Sequence, residues 1–246
     1  MNNKVMLVTG SSIGLGNNII YEAAKSGYDV IINYLTHEKE AFELKNKVEK
    51  EFKIKTLCIK CDITKEEDIK NMVNKIVNTY GKIDVLVNNA SISKDNEFNL
   101  KTKEDFVKVL EVNTIGTFLI SRAIGNVMLN QKQGKIINIS SNNAIDSYYE
   151  YSLDYDASKA AVINLTHNLA SHYAPYINVN CICPGWINTS INNEISEEFK
   201  KKELNKILLR RFAEPKEITD LVLFLASEKS NYINDSVIKI DGGIKC

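Results

Sequence analysis

Proline is scarce, with 3 in 246 residues, and tryptophan occurs once. So little proline, with only 25% charged residues, excludes a disordered or fibrous chain. A dominant charge sign is also missing, because 31 Lys and Arg balance 31 Asp and Glu. That balance excludes a polybasic surface for nucleic acid or for anionic membrane. No apolar run approaches the roughly 18–20 residues of a membrane span; Leu221 to Ala226 is among the longest. The first apolar run, Val5–Val8, passes directly into Thr9-Gly10 and is too short for a signal-peptide core. Cysteines number 5, an odd count that fits a reducing cytosol better than a disulfide framework. A cytoplasmic protein without nucleic-acid or membrane partners is the expectation.

What the chain does have is alternation. Short runs rich in Val and Ile occur at 5–8, 30–32, 56–59, 83–87, 135–139, 177–182 and 237–240. Amphipathic helical patterns lie between them, over about 15–26, 38–52, 65–79, 103–130, 155–173 and 215–227. Strand alternating with helix predicts an α/β fold around a parallel sheet with right-handed crossovers. Runs apolar at nearly every position suit a sheet covered on both faces. No linker or repeat divides the chain, so 1–246 reads as a single domain. One interval, 186–211, breaks the alternation and holds a short helical pattern from Glu197 to Leu209. An insertion this long after a strand end reads as a lid over a ligand site.

The first strand runs into Thr9-Gly10-Ser11-Ser12-Ile13-Gly14-Leu15-Gly16. Strand, glycines and helix in that order make a phosphate-binding turn. Gly10 permits the turn, Gly14 lets the backbone approach a pyrophosphate, and Gly16 lets helix pack on sheet. The helix N-terminus offers N–H groups to the anion. The second strand ends at Asn33-Tyr34, where an Asp or Glu would bind a ribose 2′-hydroxyl and repel a 2′-phosphate. The acid is absent, and Thr36, His37 and Lys39 follow, so NADP(H) is favoured over NAD(H). Asp62 is placed to accept from an adenine amino group, with Thr64 and Glu67 forming a capping box for the next helix. Asn88-Asn89-Ala90-Ser91 ends the fourth strand and offers small and amide groups to a cofactor floor.

Tyr155 and Lys159 stand four apart at the start of a helical pattern and so share one face. A cation beside a phenol favours phenolate, which makes Tyr155 a candidate general acid/base once Lys159 and a cationic nicotinamide lower its pKa. Ser140-Ser141 follows the fifth strand, where a hydroxyl can donate to a substrate carbonyl oxygen. Asn113 lies in an apolar helical stretch and needs a partner, a backbone carbonyl or a water.

In chain order, TGSSIGLG, CDIT, NNAS, VNTIG, ISS, YDASK, NVNCICPGWINT, RFAEPKEI and the terminal DGG resemble the short-chain dehydrogenase/reductase family. The similarity spans essentially the whole chain and is closest to the 3-oxoacyl-[acyl-carrier-protein] reductase-like branch. It implies a Rossmann-like three-layer fold, with a seven-stranded parallel sheet flanked by helices. It implies a catalytic tetrad of Asn113, Ser141, Tyr155 and Lys159. Ser141 would hold the substrate oxygen, Tyr155 transfer the proton, Lys159 also bind the nicotinamide ribose, and Asn113 hold a relay water. The cofactor positions implied are Gly10, Ser12, Ile13, Gly14, Gly16, Asn33, Asp62, Ile63, Asn89, Ala90, Tyr155 and Lys159, with Pro184, Gly185, Ile187 and Thr189 beside the nicotinamide. The activity implied is hydride transfer between nicotinamide and a ketone or secondary alcohol, on an acyl thioester or, alternatively, a sugar, polyol or other small alcohol. A non-catalytic dinucleotide sensor is the rival of another class, and the filled tetrad positions argue against it. The chain departs from the family at Ile233-Asn234-Asp235, at Ala174-Pro175-Tyr176 and in a Ser141–Tyr155 spacing one residue longer than is common.

Other eye-catching residues read as structural. Cys58 and Cys61 fall on opposite faces of a strand. Cys181 and Cys183 share a face but lack a His or acid cluster, so no metal is expected. Trp186, at the start of the lid, packs on the core or touches substrate. His167 and His172 read as surface or subunit-contact residues rather than bases. On the 155–173 helix, Ala161, Val162, Leu165, Leu169 and Ala170 would face the sheet while Ile163, His172 and Tyr173 extend the apolar surface sideways. Together with the family's habit, this leads to a homotetramer with dihedral symmetry as the expected assembly, with a dimer as the fallback.

Overall fold

The computed structural model describes residues 3–145, 149–189 and 196–244. Seven parallel strands form one sheet in the order β3-β2-β1-β4-β5-β6-β7. They are β1 (Val5–Val8), β2 (Asp29–Tyr34), β3 (Thr56–Lys60), β4 (Val85–Asn88), β5 (Gly134–Ile139), β6 (Ile177–Pro184) and β7 (Val237–Ile240). The helices are α1 (Gly14–Lys25), α2 (Glu38–Phe52), α3 (Glu66–Tyr80), α4 (Lys103–Leu110), α5 (Thr117–Gln131), α6 (Leu153–Tyr173), α7 (Glu197–Lys206) and α8 (Pro215–Ala226). The order reverses direction at β1/β4, and the ligand crevice of such sheets lies outside the strand ends at that point.

Period-two alternation divides the core into two layers. Met6 and Val8 pack with Ile19, Ile20, Leu44, Val48 and Val222 from α1, α2 and α8. Val5 and Leu7 pack with Met72, Ile76, Ile120, Ile124 and Leu169 from α3, α5 and α6. Cys58 packs on the first layer and Cys61 belongs to the second, as their spacing predicts.

Three local expectations are corrected. The pattern over 103–130 is not one regular helix, because Glu111–Gly116 forms a π-helical turn between α4 and α5. Thr64 does not cap α3. Lys65 holds that position, and the Thr64 N–H and hydroxyl instead donate to Asp62 Oδ1 at 3.0 and 2.7 Å. Nor does Tyr173 widen an outer surface. It is buried, its hydroxyl donates to the Ser121 carbonyl at 3.1 Å, and its ring lies so close to Gly125 that a Cβ there would sit 2.3 Å from it. At the departure 233–235, Asp235 adopts a left-handed φ of 58° and its N–H donates to the Val179 carbonyl at 2.9 Å. The turn survives because Asp tolerates this conformation better than most residues.

Candidate active site

A cavity of about 720 Å³ opens along the carboxyl ends of the central strands. Its first wall is the turn after β1. Gly10 and Gly14 have φ of 58° and 60°, which glycine adopts without a Cβ penalty. A Cβ on Gly10 would meet Ala90 Cα at 2.9 Å, and one on Gly16 would meet Asn89 Nδ2 at 2.6 Å. Ile13 at the start of α1 provides no side-chain cap, so the first N–H groups of that helix are left for an anion. The cradle therefore fits a dinucleotide pyrophosphate.

Gly10, Ser12, Ile13, Gly14, Asn33, Asp62, Ile63, Asn89 and Ala90 all line the cavity. Gly16 does not, and its role is the close packing just described. Two of these side chains are turned inward to hold the turn. Asn89 Nδ2 donates to the Thr9 and Gly10 carbonyls, both at 3.0 Å. Asn33 Oδ1 accepts from the Gly10 N–H at 3.1 Å while its Nδ2 donates to the Cys61 carbonyl at 3.1 Å. That amide ties the ends of β1, β2 and β3 together and is only 2% exposed, so it is committed to the scaffold rather than free to meet a ribose. Lys39 lies outside the lining and pairs with Glu43 at 3.8 Å. Burial would raise the Asp62 carboxyl, but the two Thr64 hydrogen bonds outweigh it and hold the group below its usual value.

The opposite wall carries Ser141, Tyr155, Lys159, Pro184, Gly185, Ile187 and Thr189. Ser140 Oγ donates to the Lys159 carbonyl at 2.7 Å, pinning α6 to the end of β5. Lys159 Nζ donates to the Ile139 carbonyl at 2.8 Å and lies 5.4 Å from the Tyr155 ring centre. Burial pushes the Lys159 ammonium down to about 8, partly countered by the Cys181 and Cys183 thiols. Burial also pushes the Tyr155 phenol up to about 12, helped by Asp156 and opposed by the facing Ser141 hydroxyl. The expected lowering of Tyr155 by Lys159 is thus not a property of the chain alone. In a low-dielectric pocket, desolvation of the phenolate is the largest effect on this group.

Asn113 is placed differently from the other three tetrad residues, since it does not line the cavity. It sits in the π turn, buried. Its Oδ1 accepts from the Ile92 N–H at 2.8 Å, and its Nδ2 donates to the Ile92 carbonyl and to Ser158 Oγ, both at 2.9 Å. The amide is satisfied by the Ile92 backbone, one of the two partners expected for it, and by the Ser158 hydroxyl, which was not.

Several lining residues escaped the sequence reading: Leu35 beside the second strand, Asp95 on the loop after β4, and Asn143 and Tyr149 before α6. They lie on loops without a motif, and only the fold brings them together. Trp186 packs against its neighbours, one of the two readings, and also stands on the cavity wall. It stacks on Phe212 at 5.6 Å, meets Phe199 of α7 edge-on at 5.7 Å, and donates from Nε1 to Glu203 Oε2 at 3.2 Å. Cys181 and Cys183 are buried with their sulfurs 3.9 Å apart. No cluster of metal-ligating side chains occurs among the described residues.

A family model described as enoyl-(acyl carrier protein) reductase matches residues 10–245. A 3-oxoacyl-[acyl-carrier-protein] reductase of Staphylococcus epidermidis is 35% identical over 98% of this chain and 99% of its own. The reductase of the same description from Aquifex aeolicus is 36% identical over 98% and 97%. Among solved structures, a putative short-chain alcohol dehydrogenase from Sinorhizobium meliloti superposes with a TM-score of 0.92 at 27% identity, covering 99% of this chain and 96% of that one. A short-chain dehydrogenase/reductase mutant of Serratia marcescens gives 0.91 at 29%, covering 98% and 97%. The chain belongs to the short-chain dehydrogenase/reductase family. Within that family it is an NAD(P)-dependent oxidoreductase similar to the 3-oxoacyl-[acyl-carrier-protein] reductases.

Proposed function

We propose that the protein reduces the keto group of a 3-oxoacyl thioester with NADPH. The observation that carries this reading is the convergence of Ser141, Tyr155 and Lys159 on one wall of a cavity whose other wall is the glycine cradle. The bound dinucleotide would supply the hydride. The Ser141 hydroxyl donates to the carbonyl oxygen, and Tyr155 delivers a proton to that oxygen as it gains charge. Lys159 holds a positive charge behind the phenol and would be the donor to a ribose hydroxyl of the bound dinucleotide. Asn113 acts on this site through Ile92 and Ser158, and a water held at its backbone would connect Lys159 to solvent. Of the 186–211 lid segment, residues 190–195 lie outside the described residues; its α7 is seated through Phe199 on Trp186 and Tyr149, beside the cavity where the substrate would bind. Purified protein is to be assayed with NADPH against acetoacetyl thioesters and a polyol panel; turnover of polyols alone would refute the thioester reading. A polyol or sugar substrate is the second reading, favoured by the Ser91, Ser93, Asp95 and Asn143 groups on the cavity wall.

The NADP(H) preference rests on Leu35, Thr36 and His37, which line the cavity beyond β2. No carboxylate is among them, and the next acid, Glu38, accepts from the Tyr34 hydroxyl at 3.2 Å. Since Asn33 is locked beneath the turn, the informative change is Leu35→Asp, at a side chain half exposed to the cavity. An anion there should weaken NADPH binding roughly tenfold or more, about 1.4 kcal/mol, and leave NADH nearly unaffected. Fluorescence titration with both nucleotides checks this, and equal losses would remove the 2′-phosphate from that position.

The assembly proposed is a cytoplasmic homotetramer. Val107, Ile115, Phe118 and Leu153 lie on α4, the π turn, α5 and α6 and are 54%, 50%, 39% and 41% exposed, an apolar surface that a second copy would cover. Light scattering should return about four times the 27.8 kDa chain mass; a fully active species at 27.8 kDa would refute it. No helix among the described residues is long and apolar enough to cross a membrane.

A further inference from the structure

The loop between β4 and α4 forms part of the cavity wall through Ser91, Ile92, Ser93 and Asp95. It belongs to no sheet, yet three connections hold it to the catalytic side. Ile92 uses both backbone groups on the Asn113 amide, and the Asn96 N–H donates to the Tyr151 carbonyl at 3.0 Å. The third connection is an ion pair. Lys101 Nζ donates to Asp154 Oδ1 at 2.6 Å, with side-chain exposures of 4% and 0%. Lys101 also donates to the Lys94 carbonyl, which closes the 94–101 stretch of the loop on itself. Asp154 Oδ1 in turn accepts from the Tyr155 N–H at 3.0 Å.

No other ion pair found among the described residues is this dry on both sides. Surface pairs of lysine and acid contribute little, but a buried one leaves an uncompensated charge when a partner is lost. Asp154 Oδ2 finds no donor among the described residues, so its carboxylate depends on Lys101 for charge compensation. A single amine thus joins the substrate-side loop to the first turn of α6, at the residue adjoining Tyr155. We propose that Lys101 and Asp154 are positioning residues, a buried clamp that fixes the 91–101 loop against the Tyr155 backbone and so holds in place the wall against which the carbonyl substrate binds.

This rests on the catalytic reading of Tyr155, and the test separates the two. Lys101→Met removes the cation and keeps an apolar stem of similar length. Lys101 and Asp154 are not among the residues lining the cavity and touch no residue of the glycine turn in any hydrogen bond or ion pair described, so the expected result is a KM for the carbonyl substrate raised tenfold or more. The dinucleotide Kd should stay within twofold. Asp154→Asn keeps the oxygen facing the Tyr155 N–H and should give the same division with a smaller rise. KM unchanged in folded variants, or KM and dinucleotide Kd rising together, would overturn the clamp as a positioning device. A readout independent of activity uses the unaltered protein. In native-state hydrogen exchange, the Asn96 and Tyr155 amides should exchange together and slowly, as one cooperative unit. A fast-exchanging Asn96 above a protected Tyr155 would also refute the clamp. Failure of wild-type carbonyl reduction with that joint protection intact would instead refute the catalytic reading alone.

Discussion

Tyr155→Phe should lower kcat for carbonyl reduction by about 10²–10⁴-fold, the usual contribution of a positioned general acid. Dinucleotide binding should persist, because the glycine cradle and Lys159 are untouched. The ring stays in place and the change deletes one hydroxyl from a pocket that Ser141 still lines, so the fold should be retained. The pKa of about 12 for the buried phenol sharpens the expectation. A phenol held that high is fully protonated at neutral pH, which is the form a reductase needs for donation. The opposite direction, alcohol oxidation, must first make a phenolate and so should rise with pH in the wild type. The variant should lack that rise. Single-turnover measurement of nucleotide absorbance at two pH values separates these outcomes, and activity within threefold of wild type would exclude Tyr155 as the proton donor.

The fold was legible because its signals are local. Period-two runs such as Met6–Val8 against Val5–Leu7 divide between two helix layers, and the alternation states the parallel topology. The glycine turn and the Tyr155/Lys159 spacing were legible for the same reason, since one helix face or one turn contains each of them. What escaped depends on partners distant in the chain. Asn33 stands where a ribose-binding acid would, and only the β2–β3 register brings the Cys61 carbonyl to its amide. Asn113 marks a polar spot consistent with a kink in a helix, but its neighbours do not signal the π turn that aims it at Ile92. Lys101 and Asp154 look like solvated surface charges in a chain rich in both, and their burial follows only from a contact 53 residues apart. The direction of the Tyr155 shift was unreadable because spacing reports the nearby cation and not the desolvation around both groups.

Lys159→Met should separate catalysis from stability in opposite directions. The methionine removes the positive charge behind the phenol and the donor toward the ribose, so kcat should fall by about 10²-fold or more, comparable with loss of other electrostatic stabilisers. Stability should move the other way. The amine falls from 10.5 to about 8 on folding, which is a penalty on the buried cation. At about 1.4 kcal/mol per pKa unit that penalty is roughly 3 kcal/mol. It is offset by about 1–2 kcal/mol for the Ile139 carbonyl that would lose its donor. The variant should therefore be more stable at pH 7 by about 1–2 kcal/mol, seen as a higher urea midpoint with an unchanged slope. The sign follows from linkage. A folded pKa below the unfolded one means that the cation's penalty is fully present below pH 8, shrinks between 8 and 10.5, and is gone above. The wild type should thus gain on the variant across that window, and the difference between them should reverse to favour the wild type at its upper end, where only the Ile139 hydrogen bond remains. A Lys159→Met protein less stable than wild type at pH 7, or a difference that does not change with pH, would show that the amine is not held down by burial.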